Sequence, residues 1–227
     1  MFHSRTSLGP VDLAFTDRFG GVSAVPYAEL NLALEDGDDE AARTQNRRLV
    51  LEAFAPGDDL ADLRQVHGCA VVTADPSARP QADGVVSTEV GLTLMIRVAD
   101  CVPVLLADPD AGVVGAAHAG RPGLAAGVAP ATVAQMRVRG ATRITAWIGP
   151  HICGACYEVP AAVATTSWGT PSLDIGAGVR AQLEAEGVQV VDASACTRES
   201  SDLYSYRRDG AGAGRLAGLI RIGREGS

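Results

Sequence analysis

The stretch from Val98 to Gly123 constrains the fold of this chain more than any other. It contains two apolar runs of strand length, Val102–Ala107 and Val113–Ala117, separated by the turn-forming segment Asp108–Gly112. Proline presets φ in such a turn, and glycine tolerates positive φ. The pattern therefore predicts a β-hairpin.

A potentially reactive side chain lies at each end of this hairpin. Cys101 precedes the first predicted strand, and His118 follows the second. Because antiparallel pairing aligns the start of one strand with the end of the other, we expect these two side chains to lie next to each other. They could share one metal ion or act together as nucleophile and base, and the hairpin alone leaves both interpretations open.

Length and charge exclude several classes of protein. A chain of 227 residues with 47% hydrophobic content fits one domain spanning residues 1–227. The net charge of −8 disfavours binding to nucleic acid, because an acidic surface repels phosphate backbones. We find no signal peptide and no apolar run of membrane-spanning length, so we expect a cytoplasmic protein without a membrane partner.

The basic residues restrict the chemistry further. All 19 are arginine and none is lysine, which excludes mechanisms that need a Schiff-base lysine or a P-loop lysine.

The five cysteines are odd in number and irregularly spaced. In a protein expected to be cytoplasmic, this predicts reduced thiols. They are Cys69, Cys101, Cys153, Cys156 and Cys196. The pair Cys153-x-x-Cys156 has no second pair at zinc-ribbon spacing and no thioredoxin-like context. We interpret these two as packing thiols.

Hydrophobic periodicity predicts many strands and few helices, not in strict βαβ alternation, which is typical of a mixed α+β architecture. Besides the hairpin, strands are predicted at Val11–Phe15, Leu63–Thr73, Ala82–Val86, Leu92–Val98, Ile144–Ile148, Val188–Val191 and Leu216–Ile222. Helices are predicted to open at Gly37–Glu40, to run from Pro130 as first helical residue to Arg139, and to span Ile175–Glu186, ended by Gly187. Tyr27–Leu34 is predicted to be extended and Leu203–Gly214 to be a loop.

Four side chains outside the hairpin are further candidates for a site. Asn46 falls inside the apolar stripe of the first predicted helix and Arg47 lies at its edge, so both could reach a site. A hydrogen-bonded core asparagine beside a surface arginine explains the pattern equally well. Gln65 and His67 share one face of a predicted strand. His67 with Cys101 and His118 would give three protein ligands and an open position, as in catalytic zinc sites, although such residues are more often structural.

Three other motifs are interpreted as structural. The glycine-rich segment Gly210–Gly214 lacks the strand and helix of a dinucleotide fingerprint. Asp108-x-Asp110 lacks the remaining ligands of a Ca²⁺ loop. Arg207-Arg208 could bind an anion, but we interpret it as a solvated charge pair.

A series of short blocks together resembles one family, the YfiH or laccase-domain family, also described as polyphenol-oxidase-like. Each block is weak alone, but they occur in one order along nearly the whole chain. The blocks are Phe15-Thr16-Asp17-Arg18, Gly20-Gly21-Val22-Ser23, Leu30-Asn31-Leu32, Asn46-Arg47, Gln65-Val66-His67-Gly68, Ala82-Asp83-Gly84, Ala99-Asp100-Cys101-Val102-Pro103-Val104, Ala117-His118-Ala119-Gly120, Gly149-Pro150 with Ile152, Tyr157-Glu158-Val159, Cys196-Thr197 and Ser205-Tyr206-Arg207-Arg208-Asp209.

The resemblance implies a four-layer α/β/β/α fold with two mixed β-sheets flanked by helices. It also implies a Zn²⁺ ion held by His67, Cys101 and His118. Zinc is preferred over copper, since a multicopper cluster needs many histidines and this chain has four.

The activity implied by the resemblance is that of a purine nucleoside phosphorylase. Its substrates would be phosphate and adenosine, inosine, guanosine or methylthioadenosine, with adenosine deamination as a possible side activity. Cys101, His118 and Arg47 would be catalytic. Asn46, Gln65 and Arg121 would bind substrate.

Three alternatives remain. The first is a metal-free Cys–His hydrolase, with Cys101 as nucleophile and His118 as base, acting as an amidase in peptidoglycan precursor editing. The second is a single-copper polyphenol oxidase, and the third is a non-catalytic binding protein. Bound zinc and phosphate-dependent release of hypoxanthine distinguish these alternatives from the phosphorylase.

The chain departs from the family pattern at two places. After His-Ala-Gly the family usually continues with Trp-Arg-Gly, whereas this chain has Arg121-Pro122-Gly123, so the guanidinium has moved by one position and the indole is absent. The segment Ala161–Leu173 is also shorter than usual, which predicts a reshaped wall of the site.

Overall fold

The computed structural model describes residues 1–160 and 164–224 of the chain. The described strands, in chain order, are β1 Phe2–Leu8, β2 Val11–Thr16, β3 Asp59–Ala61, β4 Val71–Thr73, β5 Gly84–Ser87, β6 Leu92–Val98, β7 Val102–Asp108, β8 Val113–Ala119, β9 Thr145–Ile148, β10 Ala164–Thr165, β11 Pro171–Ser172, β12 Gln189–Asp192 and β13 Leu216–Ile222. The described α-helices are α1 Glu40–Phe54, α2 Arg121–Ala126, α3 Val128–Val138, α4 Ile175–Ala185 and α5 Tyr206–Asp209.

The strands form two large mixed sheets and one short hairpin, β10–β11. The first sheet has the order β1-β2-β13-β6-β3, in which only β3 runs parallel to its neighbour. The second sheet has the order β12-β9-β7-β8-β5-β4, with parallel pairs at both edges. The hairpin β7–β8 forms its antiparallel centre, between β9 and β5.

Helix α1 covers the outer face of the first sheet. The Asp39 side chain caps it by accepting a hydrogen bond from the Ala41 backbone N–H, which satisfies one of the free donors of the first turn. This agrees with the predicted start of the helix. The helix buries Val50 and Phe54 against strand residues such as Met95.

The two sheets pack face to face through their alternate side chains. Phe15, Leu94 and Ile96 of the first sheet meet Leu105 and Trp147 of the second. The alternation along each strand therefore places one set of residues in this shared layer and the other set against a helix.

Helices α3 and α4 cover the outer face of the second sheet. There Val104 and Leu106 of β7 pack with Met136 of α3 and Leu183 of α4. Every residue of β7 and β8 is buried, as expected for a hairpin covered on both faces. The predicted four-layer α/β/β/α fold with two mixed sheets is confirmed. Within the described residues, no helix combines the length and the apolarity that a membrane span requires.

The predicted hairpin is confirmed in its register. Val102 pairs with Ala119 and Pro103 with His118, so Cys101, directly before β7, lies beside the end of β8. Antiparallel pairing thus brings the two reactive side chains together at the open end of the hairpin, opposite its turn.

The turn of the hairpin is held by the buried carboxylate of Asp108. It accepts backbone hydrogen bonds from Thr142 and Arg143 at 2.7 Å each and from Ala111 at 3.1 Å. Burial opposes ionisation, but these hydrogen bonds outweigh it and lower the pKa of Asp108. A lowered folded-state pKa adds stability above the unfolded pKa of about 4, and this contribution is lost as the pH falls through the folded pKa.

Asp108→Ala is expected to reduce the free energy of unfolding by about 2 kcal/mol at pH 7, because three backbone N–H groups lose their charged, buried acceptor. The difference from wild type should shrink near pH 3. Denaturant unfolding at both pH values measures it. Asp110→Ala is the matched control, since its exposed ion pair with Arg143 contributes less than about 1 kcal/mol. An equal deficit at both pH values would contradict the role given to the charge of Asp108.

The predicted strand Leu63–Thr73 is wrong over most of its length. Only Val71–Thr73 forms a strand, and the preceding residues form a loop in which His67 has a φ of 61°. The carboxylate of Asp83 accepts the backbone N–H groups of residues 66–68, which are therefore not available to a sheet ladder. Gln65 and His67 thus approach the site through tertiary contacts and not through a shared strand face.

Three further segments differ from their predicted structure. Helix α3 begins at Val128 instead of Pro130, since Gly127, at φ 79°, ends α2 and starts α3 directly. Tyr27–Leu34 contains no strand. The predicted loop Leu203–Gly214 contains α5 and a 3₁₀ turn. Of the segment 161–173, residues 164–173 contain β10 and β11, and residues 161–163 lie outside the described residues.

The sequence analysis missed four strands, which are β1, β3 and the two-residue strands β10 and β11. β1 pairs along one side only and has a mostly exposed, polar sequence, so it lacks the alternation that predicts a strand. β3 has three residues, too few for a periodic signal.

Candidate metal centre and substrate cavity

Three side chains with soft donor atoms converge where the hairpin β7–β8 meets the loop before β4. They are His67, Cys101 and His118, and their donor atoms all lie within 4.8 Å of one another. The Cys101 Sγ lies 3.7 Å from the Nε2 of His67. The two imidazole rings meet edge to face, with centroids 4.7 Å apart. His118 is buried and His67 is exposed, so the cluster opens to solvent on one side.

The buried carboxylate of Asp83 orients both histidines. Its Oδ1 lies 2.8 Å from the Nδ1 of His118 and accepts the backbone N–H of His67 at 2.9 Å. Its Oδ2 accepts the N–H groups of Gly68 and Val66 at 2.7 and 3.2 Å. Because the Nδ1 of His118 is occupied by Asp83, its Nε2 remains for a ligand.

Two non-glycine residues beside the cluster have left-handed backbone, His67 at φ 61° and Asp100 at φ 89°. Asp100 is held in this conformation from two sides. Its carboxylate accepts the Thr197 hydroxyl at 2.6 Å and the Arg207 N–H at 2.7 Å. Such conformations persist where surrounding contacts impose them, typically at functional sites.

The backbone at Gly120 has no room for a side chain. A Cβ there would lie 2.6 Å from the Cδ2 of His67 and 3.0 Å from the Sγ of Cys101. Glycine after the His118-Ala119 pair therefore permits the close approach of the two ligands.

Ionisation at the site favours a thiolate. Burial opposes the charge of Cys101, but hydrogen bonds with His118 and His67 outweigh burial and lower its pKa to about 6. Burial also opposes protonation of His118, but its contacts with Asp83 and Cys101 outweigh burial and raise its pKa to about 9. Without a metal the pair is therefore a thiolate beside an imidazolium.

The same residues fit a Zn²⁺ ion. Zinc binds sulfur at about 2.3 Å and nitrogen at about 2.0 Å, so two such ligands in tetrahedral geometry lie about 3.6 Å apart. The Sγ–Nε2 separation of 3.7 Å in Cys101 and His67 matches this spacing. Three protein donors leave a fourth position open, as in catalytic zinc sites.

A cavity of about 570 Å³ extends from this cluster, a size typical of small-molecule sites. Its walls carry two tyrosines, Tyr157 and Tyr206, and several arginines, including Arg207 and Arg215. Arg207 stacks over the Tyr157 ring at 4.6 Å. The cavity thus combines aromatic faces with positive charge beside the three donors.

A second cavity of about 140 Å³ adjoins the first and contains Arg47. The two share the wall residues Ala33, Leu34 and Arg97. Burial, followed by repulsion from Arg97 and Arg79, lowers the pKa of Arg47. Concentrated positive charge of this kind favours an anion.

Arg47 differs from the other arginines of this second cavity in its pairing. Arg43 pairs with Asp36, and both Arg79 and Arg97 pair with Asp62. Among the described residues, no carboxylate lies within 4.0 Å of the Arg47 guanidinium. Arg47 is therefore the arginine in this cavity best placed to bind an added anion.

The three predicted substrate-binding residues occupy different positions. Gln65 lines the first cavity, but its amide exchanges two hydrogen bonds with the backbone of Arg97. Asn46 is fully buried, and its amide bonds to the loop residues Val22, Ser23, Glu29 and Asn31. Arg121 is exposed, and neither it nor Asn46 lines either cavity.

Arg207 and Arg208 are exposed, as expected for a solvated pair, but both also make contacts that the sequence did not indicate. Besides lining the cavity, Arg207 donates a hydrogen bond to the Glu158 carbonyl at 3.0 Å. Arg208 donates to the carbonyls of Thr197, Ser200 and Leu203. The loop that carries them packs against the site, and no local sequence pattern predicts this packing.

Sequence reasoning also gave no role to Asp83, Tyr157 or Tyr206. All three lie in blocks that carry the family resemblance, which was the available signal. Their roles depend on which distant residues they contact, so no spacing rule finds them.

Asp83→Asn is expected to weaken zinc binding at the His67–Cys101–His118 site about 10–100-fold, since the histidines lose the carboxylate that orients them. Competition with a chromophoric chelator measures this affinity, with His67→Ala as the reference that lacks the site. Asp75→Asn, at a fully exposed carboxylate, is the control. An unchanged affinity in Asp83→Asn would show that the imidazoles are held without it.

Comparison with known proteins identifies relatives over nearly the whole chain. A family model described as "multi-copper polyphenol oxidoreductase laccase" matches residues 12–223. A protein of Streptomyces coelicolor named purine nucleoside phosphorylase is 51% identical, over 97% of this chain and 99% of its own length. A Corynebacterium glutamicum protein of the same name is 42% identical over 95% and 96%.

Solved structures of similar proteins share the fold. A Neisseria meningitidis protein has a TM-score of 0.85 at 32% identity, with 97% of this chain and 99% of the other covered. The Bacillus licheniformis protein YfiH has a TM-score of 0.84 at 29% identity, with 93% and 92% covered. From the family model and these identities, the chain belongs to the laccase-domain family, described as multi-copper polyphenol oxidoreductase laccase, in agreement with the resemblance to YfiH seen in its sequence.

Proposed function

We propose that this protein is a zinc-dependent purine nucleoside phosphorylase. It would convert adenosine, inosine, guanosine or methylthioadenosine, with phosphate, into the free base and a pentose 1-phosphate. The observation that carries the proposal is the adjacency of two cavities. One contains the donors of His67, Cys101 and His118. The other contains Arg47, which has no carboxylate partner among the described residues.

The arginine cavity suits the phosphate. Phosphorolysis brings a dianion to the anomeric carbon of the sugar, which becomes electron-poor as the glycosidic C–N bond breaks. Arg47 would neutralise and orient the phosphate with charge-assisted hydrogen bonds. Arg97 and Arg79 would add to the positive field while remaining paired with Asp62.

The larger cavity suits the nucleoside. Tyr157 and Tyr206 offer aromatic faces against which a purine can stack. Arg207 and Arg215 lie against these rings, at 4.6 and 6.0 Å from their centroids, and would fix their position. Holding both substrates in a defined orientation is itself a large part of catalysis in such transfers.

His67, Cys101 and His118 would hold the zinc, which when bound supplies a Lewis acid beside the substrate. Asp83 keeps the Nε2 of His118 directed to the cluster through its contact with Nδ1. Asn46 and Gln65 would act by positioning the cavity walls, because their amides are occupied by backbone groups. Deamination of adenosine is proposed as a side activity, since zinc sites of this type also support attack on purine C6.

A second candidate is a Cys–His hydrolase or amidase acting on peptidoglycan precursors. The observation that favours it is the ionised pair formed by Cys101, with its pKa of about 6, and His118, with its pKa of about 9. Asp83 on the far side of His118 completes the order nucleophile, base and orienting acid. This candidate needs no metal.

Copper oxidase chemistry is the third candidate, because one thiolate and two imidazoles also suit copper. Elemental analysis of the purified protein identifies the metal. If the protein contains one copper ion per chain and oxidises phenols, the proposed zinc enzyme is wrong and a copper oxidase takes its place.

Incubation of the purified protein with inosine and phosphate tests the function. We expect hypoxanthine and ribose 1-phosphate in equal amounts, and no hypoxanthine when phosphate is omitted. Release of hypoxanthine and free ribose without phosphate would indicate a hydrolase instead. No turnover of any of the four nucleosides by zinc-loaded protein would overturn the proposal.

A further inference from the structure

A second cluster of possible metal ligands includes Cys156, the residue directly before Tyr157 in the wall of the substrate cavity. Cys153, Cys156, Cys196 and Glu199 place one donor atom each within 4.8 Å of all the others. Cys156 is buried, Cys153 and Cys196 are partly buried, and Glu199 lies at the exposed edge. This cluster shares no residue with the site of His67, Cys101 and His118.

The first two thiols are presented by a tight turn. The backbone N–H groups of Cys156 and Tyr157 both donate to the carbonyl of Cys153 at 3.0 Å. This turn brings two cysteines separated by two residues to the same side, as in Cys-x-x-Cys zinc motifs.

The third thiol comes from a loop 43 residues further along the chain. The loop is paired with the first one, since His151 N–H donates to the Ala195 carbonyl at 3.1 Å and Thr197 N–H donates to the His151 carbonyl at 3.0 Å. Cys196 lies between these two hydrogen bonds and faces Cys153. The backbone N of Cys153 lies 3.5 Å from the Sγ of Cys196 and donates to it. An N–H aimed at a sulfur stabilises a thiolate.

The fourth donor is the Glu199 carboxylate. Its Oε1 lies 3.3 Å from the Sγ of Cys156. Sulfur and oxygen ligands of one tetrahedral Zn²⁺ lie about 3.6 Å apart, from bond lengths of about 2.3 and 2.1 Å. The observed spacing is close to that value, with the thiol proton still between the two atoms.

We propose that Cys153, Cys156, Cys196 and Glu199 form a second, structural Zn²⁺ site. Binding replaces the three thiol protons, which pass to solvent, with one ion held by three thiolates and a carboxylate. This set of ligands carries net negative charge. The Arg198 guanidinium, which donates to the Cys156 carbonyl at 3.1 Å, lies close enough to offset part of it.

The sequence interpretation of Cys153 and Cys156 as packing thiols is revised by this proposal. It rested on the lack of a second ligand pair at zinc-ribbon spacing. Cys196 and Glu199 supply that pair from a distant loop, which only the fold brings near. All five cysteines are free thiols in the structure, so none of the three is committed to a disulfide.

The site would join the two loops that support one wall of the substrate cavity. Tyr157, directly after Cys156, lines that cavity. Thr197, directly after Cys196, donates its hydroxyl to Asp100 at 2.6 Å, and Asp100 precedes Cys101. A zinc ion here would hold these residues in place without touching substrate.

Zinc content is the first test, and it is independent of any catalytic activity. Purified wild-type protein should contain about two zinc ions per chain, and His67→Ala and Cys196→Ser should contain about one each. The double variant should contain none. Cys69→Ser, at an exposed thiol outside both clusters, should match wild type. One zinc per chain in wild type together with none in His67→Ala would overturn the proposal.

Cobalt substitution keeps the test valid if Cys196→Ser fails to fold. His67→Ala retains all three thiols of the second cluster, and its Co²⁺ form should keep strong sulfur-to-metal charge-transfer absorption and tetrahedral visible bands. In this variant a chelator should also lower the melting temperature, and added Zn²⁺ should restore it. Absence of the charge-transfer band in folded His67→Ala would refute the site.

Discussion

Replacing any ligand of the first cluster is expected to reduce nucleoside turnover by about 10³-fold or more, with loss of one zinc ion. Cys101→Ala, His118→Ala and His67→Ala each leave two protein donors, too few to retain the metal, and the Lewis acid contributes several kcal/mol to such reactions. The variants should remain folded, because the two large apolar clusters on either side of the second sheet contain none of the three ligands. Zinc content, circular dichroism and phosphorolysis rates are measured together.

The alternative with Cys101 as nucleophile differs in its response to chelation. It predicts that Cys101→Ala abolishes activity but that metal-free wild type stays active. Wild-type protein is therefore dialysed against a strong chelator, shown by elemental analysis to be metal-free, and assayed with and without added Zn²⁺. We expect activity to disappear and return with zinc. Full activity in the metal-free protein would end the zinc proposal and favour the pair Cys101–His118 as nucleophile and base.

Arg47→Ala is expected to lower phosphorolysis by about 10²-fold or more, equivalent to about 2.7 kcal/mol. Arg47 has no carboxylate partner among the described residues, and the neighbouring Arg79 and Arg97 are paired with Asp62. Removing its charge therefore removes the group available to neutralise phosphate. The KM for phosphate should rise, whereas deamination of adenosine, which uses no phosphate, should suffer less.

Arg48→Ala is the matched control for this variant, because Arg48 is the next residue of α1 and its contacts, an ion pair with Glu52 and a hydrogen bond to Gln45, are exposed. It should leave both reactions near wild type. Equal loss of phosphorolysis and deamination in Arg47→Ala would show that Arg47 supports the fold or the metal site and does not bind phosphate.

Much of the fold was predictable because its signals are local. The hairpin Val102–Ala119 is encoded by two apolar runs and a turn, and helix α4 by a regular apolar stripe ended by Gly187. Strands β6 and β13 also follow directly from their apolar sequences. The four-layer arrangement came from the family resemblance, since periodicity alone indicated only an α+β chain.

Local patterns failed where side chains replaced backbone partners. Residues 63–70 alternate like a strand, but the Asp83 carboxylate accepts the N–H groups of residues 66–68 and holds them in a loop. Asn46 was correctly placed on the inner face of its helix. Its amide holds the loop around Ser23 and Asn31 and does not line a cavity, which depends on how that loop folds over α1.

The proximity of Cys101 and His118 was predictable from the sequence, because the register of a two-stranded hairpin follows from the turn and the apolar runs. The partners that come from other parts of the chain depend on the tertiary structure. It places His67 on the cluster through Asp83, gives Arg47 a cavity beside it, and brings Cys196 and Glu199 to the Cys153–Cys156 turn. The physical reason is separation along the chain. Contacts between residues tens of positions apart depend on the packing of whole layers, and no periodicity within one segment records that packing.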